Sequence, residues 1–336
     1  MGLGAHEAHK TTASIGGEGE TVFHGDPCRL KERQEKSTMD RPDRSRETRR
    51  MQFDTFDVKQ ARGTSGVALS TFYNLIFASF GWTLPEHLMP VCHALADQRI
   101  QKLQIILGPG SGKSQLLSIA YPAWRLGLDP TQTVLGISGA ENLIQGFMAA
   151  TMDIIDNSPA YRAIFPEVTP DKEAGWSTQR GMFVKGRRPG IPDASYWGAG
   201  LTSKALAGKH ARTIIIDDVH TAENSATIEQ CLKVREIYYN TILGRADPMG
   251  ARFILAGRRW HEEDLYGFLQ QSEDWVVMVL PAIRDGQKNL YYDVHIPDGL
   301  TCCFNEGAAP AAAPGPVPPS VPGGPPPTPH SAPGAF

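Results

Sequence analysis

The sequence predicts an α/β fold, a mostly parallel sheet with helices on both faces. Three observations carry that prediction. The first is the apolar run 102–107, which empties into Gly108-Pro109-Gly110-Ser111-Gly112-Lys113-Ser114 and continues as a helical pattern from Gln115. The second is Thr213-Ile214-Ile215-Ile216-Asp217-Asp218, three isoleucines that deliver two acids at a strand end. The third is the alternation of short apolar runs with amphipathic stretches between Phe72 and Leu280.

Taken in order, the strand runs are 103–107, 133–138, 181–185, 195–198, 213–217, 252–256 and 275–280. The helical patterns are 85–98, 115–126, 141–158, 222–239 and 262–271. Residues 63–85 are uncharged and apolar enough to raise a membrane span. Ser65, Ser70, Thr71, Asn74 and Ser79 interrupt the stretch, which favours an amphipathic helix docked on the core. No internal repeat is visible.

Residues 1–62 show no sustained apolar period. Within them, 29–50 carries nine Lys/Arg and five Asp/Glu around Pro42, a pattern for a solvated, disordered lead-in. A DNA- or partner-binding arm is the alternative. After Glu306 the character changes: 307–336 holds eleven prolines and no Asp, Glu, Lys or Arg. Such a segment cannot bury enough apolar surface to fold and reads as a polyproline-like disordered tail. The expected organisation is therefore a charged segment (1–62), an α/β domain (63–300) and a Pro/Ala/Gly-rich tail (301–336).

Charge is nearly balanced, 33 basic against 36 acidic residues, so any contact with nucleic acid must be a local patch. Five scattered cysteines (Cys28, Cys92, Cys231, Cys302, Cys303) make neither a disulfide framework nor a zinc spacing. A reducing cytosolic setting follows. Residues 1–20 lack the apolar core of a signal peptide.

The glycine-rich turn carries the clearest chemistry. Strand, glycine turn, Gly-Lys-Ser and helix follow in the order that a phosphate-binding P-loop requires. Glycines let backbone N–H groups curl around phosphate oxygens without a clashing Cβ, and the helix N-terminus adds its positive dipole end. The expected nucleotide contacts are Gly108, Pro109, Gly110, Ser111, Gly112, Lys113, Ser114 and Gln115, with Lys113 on the β/γ-phosphates and Ser114 on Mg²⁺. The strict pattern would place glycine at 107, where this chain has Leu107. An ordinary Gly/Pro turn is the plain alternative.

About a hundred residues later, Asp217 and Asp218 read as a Walker B pair: Asp217 for the Mg²⁺ shell, Asp218 to orient or deprotonate the attacking water. A strand ending in two acids that simply meet solvent is the competing reading. A third motif, Phe253-Ile254-Leu255-Ala256-Gly257-Arg258-Arg259-Trp260-His261-Glu262-Glu263-Asp264-Leu265, ends a strand in two arginines and opens a helix with three acids. The acids suit a helix first turn. Arg258 and Arg259 stand either at a γ-phosphate or at a solvated strand end. Lys185, Arg187 and Arg188 cluster in an expected hairpin turn, as a DNA-phosphate site or a solvated turn.

Together these motifs resemble the large terminase subunit of tailed bacteriophages. Beside the glycine turn and Ile214-Ile215-Ile216-Asp217-Asp218, the most specific part is Arg259-Trp260-His261-Glu262-Glu263-Asp264-Leu265-Tyr266-Gly267. Tyr121-Pro122-Ala123-Trp124-Arg125-Leu126-Gly127 and residues 203–210 also fit, so the resemblance covers about 82–300. It implies a RecA/ASCE-like P-loop NTPase, an ATP- and Mg²⁺-dependent motor that moves double-stranded DNA into a procapsid. The implied partners are a portal protein and a small terminase subunit, the implied assembly a homo-oligomeric ring, and the implied place the cytoplasm of a bacterial host. Relatives often carry an arginine where this chain has Gly110, so transition-state charge would fall to Arg258, Arg259, Arg245 or a neighbouring subunit. The family's nuclease would follow residue 300, yet Glu306 is the last acid in the chain, so no nuclease activity is expected and the ATPase reads as truncated. A P-loop helicase or repair ATPase, or a non-catalytic nucleotide-binding prophage remnant, are the alternatives.

Overall fold

Each of the seven expected strand runs finds a place in one nine-stranded sheet of the computed structural model, which describes residues 53–281, 283–284, 287–288 and 292–305. In chain order the strands are β1 (Lys102–Leu107), β2 (Val134–Ser138), β3 (Trp176–Ser177), β4 (Gly181–Met182), β5 (Tyr196–Gly200), β6 (Thr213–Asp217), β7 (Arg252–Gly257) and β8 (Val276–Leu280), with β11 (Asp293–His295) after a small hairpin of β9 (Ile283–Arg284) and β10 (Gln287–Lys288). The sheet order is β11-β8-β1-β7-β6-β2-β5-β4-β3. Its six central strands, from β8 to β5, run parallel, and β11, β4 and β3 close the edges antiparallel.

The helices are α1 (Thr55–Ala61), α2 (Gly66–Phe77), α3 (Met89–Ala96), α4 (Tyr121–Leu128), α5 (Glu141–Asn157), α6 (Pro159–Ile164), α7 (Ile228–Ile237) and α8 (Leu265–Gln270). Two apolar layers result, one on each face of the sheet. Ile215 and Ile254 pack with residues of α2 to α6, whereas Ile214, Ile216, Phe253 and Leu255 pack with α7 and α8. Successive strand residues point to opposite faces, so a strand covered on both sides must be apolar throughout. That is why Ile214, Ile215 and Ile216 form an unbroken run, all with 0% exposure. Each such side chain contributes about 1.5–3 kcal/mol of burial. This α/β sheet flanked by helices is compatible with a P-loop ATPase fold, and the strand order places β1 and β6 on either side of β7.

Several expected boundaries move, each for a local reason. Thr55–Ala61, inside the stretch expected to be a charged lead-in, is a helix capped by Asp54, whose side chain accepts from Phe56 N–H. The 63–85 pattern is the 12-residue α2, N-capped by Ser65 and followed by a 3₁₀ turn, not one long helix. Among the described residues no helix is long and apolar enough to cross a membrane. The 222–239 pattern starts only at Ile228, where Thr227 and Gln230 form a reciprocal capping box. The 262–271 pattern starts at Leu265 with Asp264 as its N-cap, so Glu262 and Glu263 precede the helix rather than occupy its first turn. The 181–185 run keeps only Gly181–Met182 as strand, because Phe183 and Lys185 bond instead to Asp171 and Thr169. Residues 301–305, inside the expected tail, fold against the body: Cys302 is fully buried and Cys303 N–H donates to Asp97 Oδ2. The basic 29–50 segment, Cys28 and the proline-rich run after Glu306 lie outside the described residues.

Candidate active site

The site collects at the carboxyl ends of β1, β6 and β7, where open parallel sheets hold their ligands. Gly110 and Gly112 adopt φ of 72° and 83°, a left-handed conformation that a Cβ would strain. At Gly108 and Gly110 an added Cβ would meet nothing within 4 Å, so open space lies beside both glycines. His87 braces it from the segment before α3, its Nε2–H donating to the Ser111 carbonyl at 2.9 Å. The Ser111 hydroxyl is buried with no hydrogen-bond partner among the described residues. Gln115, expected beside the nucleotide, accepts at its side-chain oxygen from the Tyr73 hydroxyl at 2.7 Å and so leans on α2.

Lys113 is 7% exposed and forms a 2.7 Å ion pair with Asp218 Oδ2. Asp218 is the one non-glycine with positive φ, 45°, among the described residues. Backbone bonds hold it there: its N–H donates to Ala256 C=O at 2.9 Å and its C=O accepts from Gly139 N–H at 3.2 Å. Asp217 points the other way and is 1% exposed. Its Oδ2 accepts from the Ser118 hydroxyl at 2.8 Å, while Oδ1 accepts nothing among the described residues. Burial lifts the Asp217 carboxyl to about 6; the Ser118 hydrogen bond opposes that, the Asp218 charge adds to it, and Ser114 and Lys113 pull it down.

The two arginines have separate fates. Arg259 is engaged in its own loop: Nε donates to Asp264 Oδ1 at 2.9 Å, Nη1 to Gln270 Oε1 at 3.3 Å, and Nη2 to the carbonyls of His261 and Glu262 at 3.0 Å. Gly267 makes room for this guanidinium, since a Cβ there would lie 2.1 Å from Nη2. Arg258 rests over the Trp260 ring, 3.9 Å from its centroid, and faces a cavity of about 300 Å³ that Pro109, Lys113, Asp218 and His220 also line. Lys113, Asp218 and Arg258 therefore share one cavity, and Arg259 is turned from it.

Sequence reasoning missed three supporting groups. Ser118 carries no motif signal of its own. His220 is 2% exposed, and its Nε2 accepts from Leu265 N–H at 2.9 Å, so Nδ1 carries the proton toward Ser225 Oγ at 2.8 Å. Burial keeps its pKa below the ordinary imidazole value, although the Asp264 charge acts in the opposite sense. Tyr266 spans two strand ends, its hydroxyl donating to Ala256 C=O at 3.0 Å and accepting from Val219 N–H at 3.3 Å. The Lys185–Arg188 cluster lies elsewhere. Arg187 donates to the Asp193 and Ile191 carbonyls, which leaves Lys185 and Arg188 as its exposed cations.

A buried carboxylate oxygen on Asp217 without a hydrogen-bond partner among the described residues, and glycines at 108 and 110 with space beside them, fit a Mg²⁺–nucleotide. Among the described residues no cluster of three or more His, Cys, Asp or Glu could hold a metal. An ion bound mainly by phosphates and water needs none.

A glycine turn at the carboxyl ends of a parallel sheet is compatible with a P-loop ATPase fold, and one comparison bears on it. Over 200 residues the chain is 26% identical to the large terminase subunit of Enterobacteria phage T3, a match that covers 59% of this chain and 33% of the phage protein. The chain thus matches about a third of that relative's length. No family model matches the chain. The similarity is distant and agrees with the terminase resemblance read from the motifs at that coarse level.

Proposed function

We propose that this chain is the ATP-hydrolysing motor domain of a terminase-type DNA packaging protein. The observation that carries the reading is the shared cavity: a buried lysine from a glycine turn, a carboxylate paired with it, and an arginine from the next strand end. Lys113 would bind the β/γ-phosphates once ATP displaces Asp218, and Asp218, released, would accept a proton from or orient the attacking water. Ser114 and Asp217 Oδ1 would hold Mg²⁺. When bound, Mg²⁺ would supply charge that offsets the negative charge of the phosphates. Arg258 would leave Trp260 to meet negative charge developing on the transferred group. Double-stranded DNA as the moved substrate, a portal protein and small terminase subunit as partners, ring assembly and action in the bacterial host's cytoplasm belong to the same proposal and rest on the terminase likeness.

Phosphate release from ATP by the full chain, with and without duplex DNA, tests this. Lys113→Ala should lower turnover on the order of 10³-fold, through lost charge stabilisation. Undiminished turnover in that variant would remove the basis of the assignment. Strand separation of a duplex by the active protein would instead favour a helicase.

A further inference from the structure

Ser118 sits four residues after Ser114, where the helix following the glycine turn is abnormal. Gln115–Ala120 is a π-helical turn, and Pro122 follows within the first residues of α4. A proline four residues on has no N–H for the Ser118 carbonyl, and its ring presses on that carbonyl. Wide turns of this kind arise where the helical ladder is interrupted and are frequent at functional sites. That carbonyl accepts a hydrogen bond from the Tyr196 hydroxyl at 2.9 Å. Tyr196 belongs to β5, so its side chain must cross β2 to arrive. It does so over Gly136, where a Cβ would lie 3.0 Å from the phenol oxygen. Proline, π turn, tyrosine and glycine together fix one side chain: the Ser118 hydroxyl, fully buried, 2.8 Å from Asp217 Oδ2.

A carboxylate only accepts, so the single Ser118 proton is committed to Oδ2 and the Asp217 group cannot turn without losing it. Among the described residues Oδ1 is left without a hydrogen-bond partner, and Ser114 and Lys113 are near enough to Asp217 to favour its charge. We propose that Ser118, anchored by Tyr196, is a positioning residue that aims the free oxygen of Asp217 at the Mg²⁺ of the bound nucleotide. The inference rests on the nucleotide site proposed above and adds to it a second ring of residues that no motif marks. Such outer partners of a metal ligand change metal affinity by about 10–100-fold when removed.

Calorimetric titration of the full chain with ADP, in Mg²⁺ and in EDTA, separates the possibilities. Ser118→Ala should leave metal-free ADP affinity at the parent value and raise the Mg²⁺ concentration for half-maximal binding by about 10-fold or more. Tyr196→Phe, which keeps the serine hydroxyl but loosens its backbone, should shift the same midpoint in the same direction by less. Parent-like Mg²⁺ dependence in Ser118→Ala, with Asp217→Asn defective, would overturn the positioning role and leave the site reading intact. Equal losses with and without metal would mark Ser118 as a packing residue and also overturn it. Parent-like Mg²⁺ dependence in Asp217→Asn would overturn the metal site and this inference with it. Should Ser118→Ala fail to fold, the Tyr196→Phe midpoint decides: an unmoved value refutes the proposal.

Discussion

Adjacent arginines on one loop should fail in opposite ways when each is replaced by alanine. Arg259→Ala removes four donated hydrogen bonds, one of them to Asp264, whose side chain is fully buried. Stranding a buried carboxylate costs about 3–5 kcal/mol when nothing else compensates. Here the arginine is 36% exposed, and the N–H groups of Trp260, His261 and Gly267 still donate to Asp264. The loss is accordingly set lower, at about 2 kcal/mol, from the value of a hydrogen bond to a charged group. For a domain of this size that lowers the melting temperature by about 4–8 °C. Arg258→Ala removes one exposed cation–π contact worth about 0.5–1 kcal/mol, so its melting temperature should barely move. Turnover should respond in reverse, with Arg258→Ala slower by about 10²–10³-fold if its charge meets the transition state. Scanning calorimetry and steady-state phosphate release at saturating ATP measure the two quantities. A normally active Arg258→Ala protein, or an Arg259→Ala protein that melts like the parent, would refute the division of labour.

The two acids should also separate: Asp217→Asn should weaken Mg²⁺-dependent nucleotide binding, and Asp218→Asn should spare binding while slowing hydrolysis, as read by titration and phosphate release. For His220, whose folded-state pKa is depressed by burial, the unfolded chain binds the extra proton first, so stability is full above about pH 6.5 and falls as pH drops below it. Urea midpoints measured from pH 7.5 down to 5 should show that acid slope flattened in His220→Gln, and an unchanged slope would exclude His220 as its source. Neutralising Lys185 and Arg188 should flatten the salt dependence of duplex binding by about 0.9 per lost phosphate contact. Arg187→Ala should instead act on the loop it braces, and an unchanged salt slope in the double variant would place the DNA surface elsewhere.

What could be read in the sequence was whatever depends on local order. Strand-turn-helix order located β1 and Gly108–Ser114 because glycine, lysine and serine must follow one another closely to act together. The isoleucine run located β6 because a strand covered on both faces has no polar positions to spare. Helix starts were less legible, since a cap such as Thr227 or Asp264 outweighs the apolar period that precedes it. The division between Arg258 and Arg259 was not legible at all: both end the same strand, and only the placement of Asp264 and Gly267 decides which guanidinium is engaged. Ser118, His220 and Tyr266 escaped for the same reason, because their partners lie on distant segments. Pro122 was a local trace of Ser118, since a proline just past a helix start cannot donate to the carbonyl four residues before it.

The site divides into a floor that is tied down and a few groups with room to respond. β6 and β7 exchange backbone bonds up to Asp217 and Ala256, and the tie continues past both strand ends. Tyr266 joins Ala256 to Val219, and an added Cβ on Gly257 would lie 2.1 Å from its hydroxyl, so that glycine is what lets the ring approach. His220 extends the tie to Leu265 and thus to the helix that Asp264 caps. Between these anchors Asp218 is held in a left-handed conformation, which costs of order 1 kcal/mol for a non-glycine residue and persists only where neighbours impose it. Its carboxylate is a third exposed and, among the described residues, is held by the Lys113 ion pair, while Arg258 rests on the face of Trp260. Ligand phosphates arriving at the turn would compete directly for Lys113 and draw on Arg258. The acid and the two cations are thus the parts that can exchange partners, on a frame whose hydrogen bonds do not need to change.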